Sequence, residues 1–190
     1  MTKDERAELS AAIVGEGERL SRLVENLLDM SRLEAGKAEP HPGLIDLAEV
    51  LEVARGAVSN RGSIRIAVET DLPMISADAA QLERAFENLF DNAIRHGNGR
   101  PVQARTRVVG DAVVVRVVDQ GPGIPESEWR RIFEPFQRGG RGRSDSGSGL
   151  GLAIVKGFVE ANGGEIRVES LPGQGTSFVV TFPLGEGRAT

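Results

Sequence analysis

At 190 residues and 39% apolar, the chain can bury a real core with room for one domain plus an extension, and its net charge of −5 argues against a nucleic-acid-binding surface as its main business. Cysteine is absent, which excludes a disulfide framework or thiolate metal site and fits a reducing compartment; two histidines are too few for a histidine-built metal centre. No apolar run approaches membrane-spanning length and the opening TKDERAE is no signal peptide, so the chain as written reads as soluble.

The periodicity predicts a long helix over residues 3–35. Leu9, Ile13, Leu20, Leu23, Val24, Leu27, Met30 and Leu33 mark an apolar stripe among charged residues. Gly15 and Gly17 weaken its first half by roughly 1 kcal/mol each relative to alanine. After Leu20 the stripe is too dense for a lone helix in water, so it pairs with another helix, in this chain or a second copy, or docks on the domain that follows. Gly36 ends the helix, and KAEPHPG, residues 37–43, reads as a linker in which His41 is solvated.

The globular part starts near Leu44, where Asp46 can cap a short helix through Val50, Leu51 and Ala54. Residues 64–70 alternate through Ile64, Ile66 and Val68 as a strand that Pro73 closes. A helix over residues 78–99 has Asp78 as N-cap, Gln81 at capping-box spacing and Gly97 as the C′ glycine. Leu82, Phe86, Leu89 and Ala93 form its buried stripe, with Arg84, Glu87, Asp91 and Arg95 mostly off it. Asn88 and Asn92 lie one turn apart along the edge of that stripe; either something polar sits against them, or backbone and water satisfy them.

Val102, Ala104, Thr106 and Val108 alternate with polar residues in a half-exposed strand, Gly110-Asp111 turns, and residues 112–118 return as a more apolar strand. A helix over residues 151–161 and strands over 165–170 and 176–183, joined by LPGQG, complete the pattern. Helices with largely antiparallel strands predict an α+β two-layer sandwich, its sheet covered on one face.

Asp119 stands at a strand end and leads into DQGPGIP, beside Gly121 and Gly123, where backbone can approach a flat ligand. An acceptor there suits the exocyclic amine of adenine and rejects the carbonyl of guanine, although an Asp-Gly turn also occurs without a ligand. Gly147, Gly149 and Gly151 in GSGLGLAIVKGF open a helix whose free amides favour an anion. The cluster is neither the GK[ST] phosphate loop nor GxGxxG after a strand.

In this order, Asn88 and Asn92, DQGPGIP, IFEPF, GSGLGLAIVKGFVEANGGEI and GQGTSFVVTFP resemble the catalytic and ATP-binding domain of sensor histidine kinases, within the superfamily of gyrase B, MutL and heat-shock chaperone ATPases. The likeness covers residues 44–184, and implies a Bergerat-type ATP-binding fold followed by a tail, residues 185–190. Upstream, RLVENLLDMSRLEAGK resembles the second helix of the kinase dimerisation hairpin, assigning residues 1–36 to an incomplete hairpin; the wording of GFVEANGG is similar to Kdp-type potassium-responsive kinases.

The resemblance implies a role for each residue. Asn92 offers its amide oxygen to Mg²⁺ bridging the ATP phosphates. Asn88 stands where related ATPases carry a water-activating glutamate, and an amide cannot take that proton, which favours transfer to a protein over hydrolysis. Arg95 reaches a phosphate and His96 lies near the adenosine, where the family often has lysine and tyrosine. Asp119 binds the adenine amine, assisted by the Thr176 hydroxyl, with Gly121, Gly123 and Ile124 lining the pocket. Gly147, Gly149, Leu150 and Gly151 hinge a lid and present amides to the phosphates. The lid, residues 126–148, has Trp129, Ile132, Phe133 and Phe136 as apolar anchors and a glycine- and serine-rich stretch expected to be mobile. Arg138, Arg141 and Arg143 either neutralise transferred phosphate or form a solvated face.

The family's phosphoacceptor motif, resembling HELRTP, has no match; neither His41 nor His96 can replace its histidine. The expectation is therefore the C-terminal piece of a longer kinase, which binds ATP and Mg²⁺ but cannot autophosphorylate. Its partners would be a separate phosphoacceptor hairpin and a response regulator, with a homodimer through residues 3–35 as an open alternative and no nucleic acid. The resemblance implies a cytoplasmic location, the full-length protein being anchored in the inner membrane by segments outside this chain. Two further readings stay open: a stand-alone regulator with ATP as structural ligand, and a serine kinase of the anti-sigma type, which shares the fold.

Overall fold

A computed structural model describes residues 2–58, 63–137 and 147–184. Arg138, Arg141, Arg143, most of the glycine- and serine-rich lid stretch and the 185–190 tail lie outside the described residues.

Helix α1 (Lys3–Glu34) begins with a capping box the sequence reading did not identify: the Thr2 hydroxyl accepts from Glu5 N at 3.2 Å and the Glu5 carboxylate accepts from Thr2 N at 2.7 Å. Strand β1 (Gly43–Ile45) takes the last residue of the expected linker and pairs antiparallel with β3 (Ile75–Ala77) in a small two-stranded sheet. The linker itself is tied down, since His41 N donates to Asp78 Oδ2 at 2.8 Å and the Ala38 carbonyl accepts from Gln81 Nε2 at 3.2 Å, while the His41 ring is exposed. Asp46 caps α2 (Leu47–Ala57), accepting from Ala48 N at 2.8 Å.

The main sheet runs β2 (Ile64–Ala67), β4 (Val102–Val109), β5 (Ala112–Val118), β7 (Thr176–Pro183) and β6 (Glu165–Ser170) in spatial order. Every pairing is antiparallel except β2–β4, whose parallel register requires a crossover; α3 (Ala79–His96) lies in that crossover. Strand β2 stops short of the expected residue 70 because Glu69 takes over the ladder: its amide donates to Thr106 Oγ1 at 3.0 Å and its carboxylate accepts from Val108 N at 2.6 Å. The helices α2, α3 and α4 (Gly151–Ala161) cover one sheet face, and Leu82, Phe86, Leu89 and Phe90 meet Val113, Val115, Phe178 and Val180 in a core without solvent access.

Both ends of α3 depart from expectation in mechanism. Asp78 caps it, accepting from Gln81 N at 3.1 Å, but the box is not closed by Gln81. The Asp78 amide donates to Asn162 Oδ1 at 2.7 Å, and Asn162 Nδ2 donates to Gln81 Oε1 at 2.9 Å, so the end of α4 caps the start of α3. At the other end Gly97 is not left-handed; the turn falls on Asn98 (φ 54°) and Gly99 (φ 72°). Gly97 is required for closeness, since a Cβ there would lie 2.6 Å from the Ala93 carbonyl oxygen.

The α1 stripe divides. Met30 and Leu33 pack on the domain core, with the Leu33 methyls against Gly157 of α4, whereas Leu9, Ile13, Leu20, Val24 and Leu27 stay exposed. Arg84 of α3, at 18% exposure, locks the docked turns: it pairs with Glu25 and Asp29 of α1 at 3.0 Å each and with Glu87 at 2.8 Å. Docking on its own domain is thus the outcome for the last turns of α1. Among the described residues no helix is long and apolar enough to cross a membrane.

Arg84→Met keeps the apolar stem and leaves three carboxylates facing one another. The expected loss is about 1–3 kcal/mol in urea unfolding, with faster proteolysis over residues 20–36. Unchanged stability and cleavage would show that this cluster does not hold the helix.

Candidate functional site

Strand β5 is apolar along its inward face and ends by delivering Asp119 into the layer between sheet and helices, where it is 3% exposed. Its Oδ1 accepts from Gly121 N at 2.8 Å and from Thr176 N at 3.2 Å, while its own amide donates to the Thr176 carbonyl at 2.9 Å. One carboxylate oxygen therefore ties the end of β5 to the start of β7. Oδ2 receives no hydrogen bond among the described residues and is left as an acceptor for something else. Burial pushes the Asp119 carboxyl above its usual range, outweighing the Gly121 and Thr176 amides and the charge of His96, which pull it down.

The turn around Asp119 is close-packed backbone. A Cβ at Gly121 would strike the His96 carbonyl and come within 2.9 Å of Asp119 Oδ1; one at Gly123 (φ 75°) would strike the Leu171 carbonyl. These contacts bring the DQGPGIP turn against the end of α3 and the β6–β7 loop. Ser170, a residue the sequence reading missed, organises that loop: its hydroxyl donates to the Gly175 carbonyl at 2.8 Å and accepts from Ile124 N at 2.8 Å. Its single proton is thereby used, so at 3.2 Å the Thr176 hydroxyl donates to Ser170 and keeps its lone pairs for another partner. Ser170 carries a legible signal, since it falls in phase with Ile166 and Val168 on the inward face of β6, where an apolar residue is the norm.

The second part of the site is the seam between α3 and the start of α4. Asn88 and Asn92 are both half-buried but differ in state. Asn88 Nδ2 donates to the Arg84 carbonyl one turn back at 3.0 Å, and its oxygen faces α4, 3.2 Å from where a Cβ at Gly151 would sit. Asn92 makes no hydrogen bond among the described residues, so its amide remains open. Arg95 pairs with Asp91 and lies against Gly147. The turn into α4 passes Gly149 at φ 71°, a left-handed conformation that also leaves no room for a side chain beside the Phe136 and Gln137 backbone. Leu150 is buried and α4 has no side-chain cap, so its first amides are free to meet an anion. A cavity of about 300 Å³ opens here, bounded by Asn26 of α1, Asn88, Asp91 and Arg95 of α3, and Gly147 and Ser148.

The fold thus gathers Gly121, Gly123, Ile124, His96 and Thr176 around Asp119, and Asn88, Arg95 and Gly147 around the cavity, with Gly151 against Asn88 and with Asn92 on the helix that joins the two groups. Of the expected lid anchors, Trp129, Ile132 and Phe133 pack on the core, helped by Trp129 Nε1 donating to the Ile124 carbonyl at 3.1 Å and an edge-on contact of Phe133 with Phe178. Phe136 is no anchor: it is 65% exposed with φ 61°, because the turn beside Gly149 faces its ring away from the core.

A family model described as histidine kinase-, DNA gyrase B-, and HSP90-like ATPase matches residues 77–186. The sensor protein KdpD of Mycobacterium tuberculosis is 36% identical over 97% of this chain and 22% of its own length. The signal transduction histidine-protein kinase/phosphatase MprB of Mycobacterium leprae is 42% identical over 94% of this chain and 36% of its own. The chain therefore spans well under half the length of the curated relatives it matches. Among solved structures, full-length ShkA in complex with AMPPNP superposes with a TM-score of 0.77 at 30% identity, covering 96% of this chain and 39% of that one. The mycobacterial sensor histidine kinase MprB superposes with a TM-score of 0.63 at 34% identity, covering 75% of this chain and 97% of that one.

Because the Asp119 carboxyl is raised in the folded state, its contribution is fully present below the ordinary carboxylate pKa and is lost as pH rises through the raised value. Asp119→Asn keeps the Oδ1 acceptor and does not titrate. Its stability relative to wild type is expected to improve as pH rises from the ordinary carboxylate range through the raised value and then to level off in urea unfolding; a difference independent of pH would show that burial does not disfavour the charged form.

Proposed function

Because the chain belongs to the histidine kinase-, DNA gyrase B-, and HSP90-like ATPase family, we propose that it is the ATP-binding catalytic portion of a sensor histidine kinase, transferring the γ-phosphoryl of Mg-ATP to a histidine on a hairpin domain. The observation that carries this reading is Asp119. A buried carboxylate with both amides on Oδ1 presents Oδ2 to a donor, as the adenine amine requires, and opposes a guanine carbonyl.

At the other end, Arg95 and the uncapped start of α4 suit the phosphates. Magnesium fits as an ion carried by the nucleotide. Among the described residues no cluster of three or more histidines and carboxylates could hold a metal, but the unbonded Asn92 oxygen is the kind of hard ligand that would complete a phosphate-bound ion's shell. Such an ion would neutralise phosphate charge. Asn88 has no basic group to abstract a proton from water, which favours transfer to a protein acceptor over hydrolysis.

On this reading residues 1–36 are the second helix of the dimerisation hairpin, 37–43 the linker and 44–184 the catalytic domain. The histidine-bearing helix and a response regulator are the partners, the exposed half of the α1 stripe is the surface for a homodimer, and the chain works on the cytoplasmic side of the membrane.

Mixed with labelled ATP, Mg²⁺ and a separate hairpin bearing its histidine, the chain is expected to produce an acid-labile phosphoprotein and to prefer ATP over GTP by about 100-fold or more. Asn92→Ala is expected to cut labelling by roughly 100-fold, and Asp119→Asn to abolish nucleotide binding while remaining folded. Equal labelling by wild type and Asn92→Ala would remove the metal role, and an acid-stable product would indicate a serine kinase.

A further inference from the structure

Asp91 lies between Asn88 and Asn92 on α3 and touches two cations. Its Oδ1 accepts from Arg22 Nη1 of α1 at 2.9 Å, and its Oδ2 accepts from Arg95 Nη2. Arg95 Nη1 lies against Gly147 in the loop that opens α4. A continuous chain of charges, plus, minus, plus, therefore runs from α1 across α3 to the phosphate end of the site, along the wall of the 300 Å³ cavity. Arg84 and Leu33 give α1 further contacts with the domain besides this chain of charges, through Asp29 and Gly157.

We propose that Arg22 is a positioning residue of the nucleotide site, acting through Asp91, so that docking of α1 and binding of nucleotide reinforce each other. The proposal rests on the nucleotide reading above. A carboxylate shared by two guanidinium groups holds each less firmly than one devoted to a single partner. With Arg22 in place, Arg95 leaves Asp91 for an incoming phosphate at lower cost. Once it has turned, Asp91 belongs to Arg22 alone, and the contact between α1 and α3 tightens. By linkage, the factor by which the docked helix raises nucleotide affinity equals the factor by which nucleotide favours docking. Both side chains of the Arg22–Asp91 pair are about one-third exposed, at 38% and 29%, which limits the effect to a small multiple.

The test is calorimetry of Mg-AMPPNP binding to the full chain as wild type, Arg22→Ala, Arg22→Lys, Asp91→Asn and the Arg22→Ala/Asp91→Asn double variant. Arg22→Ala is expected to weaken binding about three- to fivefold, Arg22→Lys to restore most of it, and Arg22→Ala to change nothing once Asp91 is Asn. Amide exchange in residues 20–34 is expected to slow on adding nucleotide to wild type but not to Arg22→Ala. Unaltered affinity in Arg22→Ala, or an undiminished effect in the Asp91→Asn background, would overturn the coupling. If wild type bound no nucleotide, the site reading would fall with it; if binding were lost in Asp119→Asn but unaffected in Arg22→Ala, only the coupling would fall.

Discussion

Asp119 is the constraint on which the rest of the site depends. A carboxylate with almost no solvent access is tolerated only where hydrogen bonds offset its desolvation, and here two backbone amides, one from the DQGPGIP turn and one from the start of β7, converge on one oxygen. That arrangement fixes where the DQGPGIP turn can lie. It also stitches β5 to β7 at the end of the sheet that faces α3, and Ser170 extends the stitching to the β6–β7 loop and Ile124. The carboxyl is kept in an environment that disfavours its charge, so the geometry is maintained at a cost to stability, as sites shaped for a ligand generally are.

The helical layer is organised around a different interaction. Asn162, at the end of α4, supplies both the acceptor for the Asp78 amide and a donor to Gln81, so α3 and α4 are registered against each other at the end remote from the glycine turn. At the opposite end the two helices meet through Gly147 against Arg95 and Gly151 against Asn88. The cavity lies at this glycine-rich end, and α1 borders it through Arg22 and Asn26. The N-terminal helix is therefore part of the site's wall as well as a connector.

Much of this was legible because it is local. The α3 stripe, the Asp46 and Asp78 caps and the strand alternation follow from periods of 3.6 and 2 acting over a few residues. Asp119 stood out because an apolar strand ran directly into an acid and two glycines. Other expectations failed for equally definite reasons. Gly97 satisfied the pattern of a left-handed cap but is held to glycine by the Ala93 carbonyl beneath it, and Phe136 matched the apolar run of its neighbours while its backbone turned it outward.

Alone, the chain of residues determined the four helices, the strands of the main sheet and the family to which they belong, because those depend on neighbours within a turn or two, whereas the short β1–β3 pair, which joins segments about thirty residues apart, was not legible. Tertiary structure decided which half of the α1 stripe is buried, that Asn88 is bonded to its own backbone while Asn92 is open, and that Asp91 joins two arginines 73 residues apart by position, Arg22 and Arg95. Those outcomes hang on pairings such as Arg84 with Asp29 and Leu33 with Gly157, between residues far apart along the backbone. Such pairings arise only when the folded layers bring the partners within reach, and no periodicity encodes them.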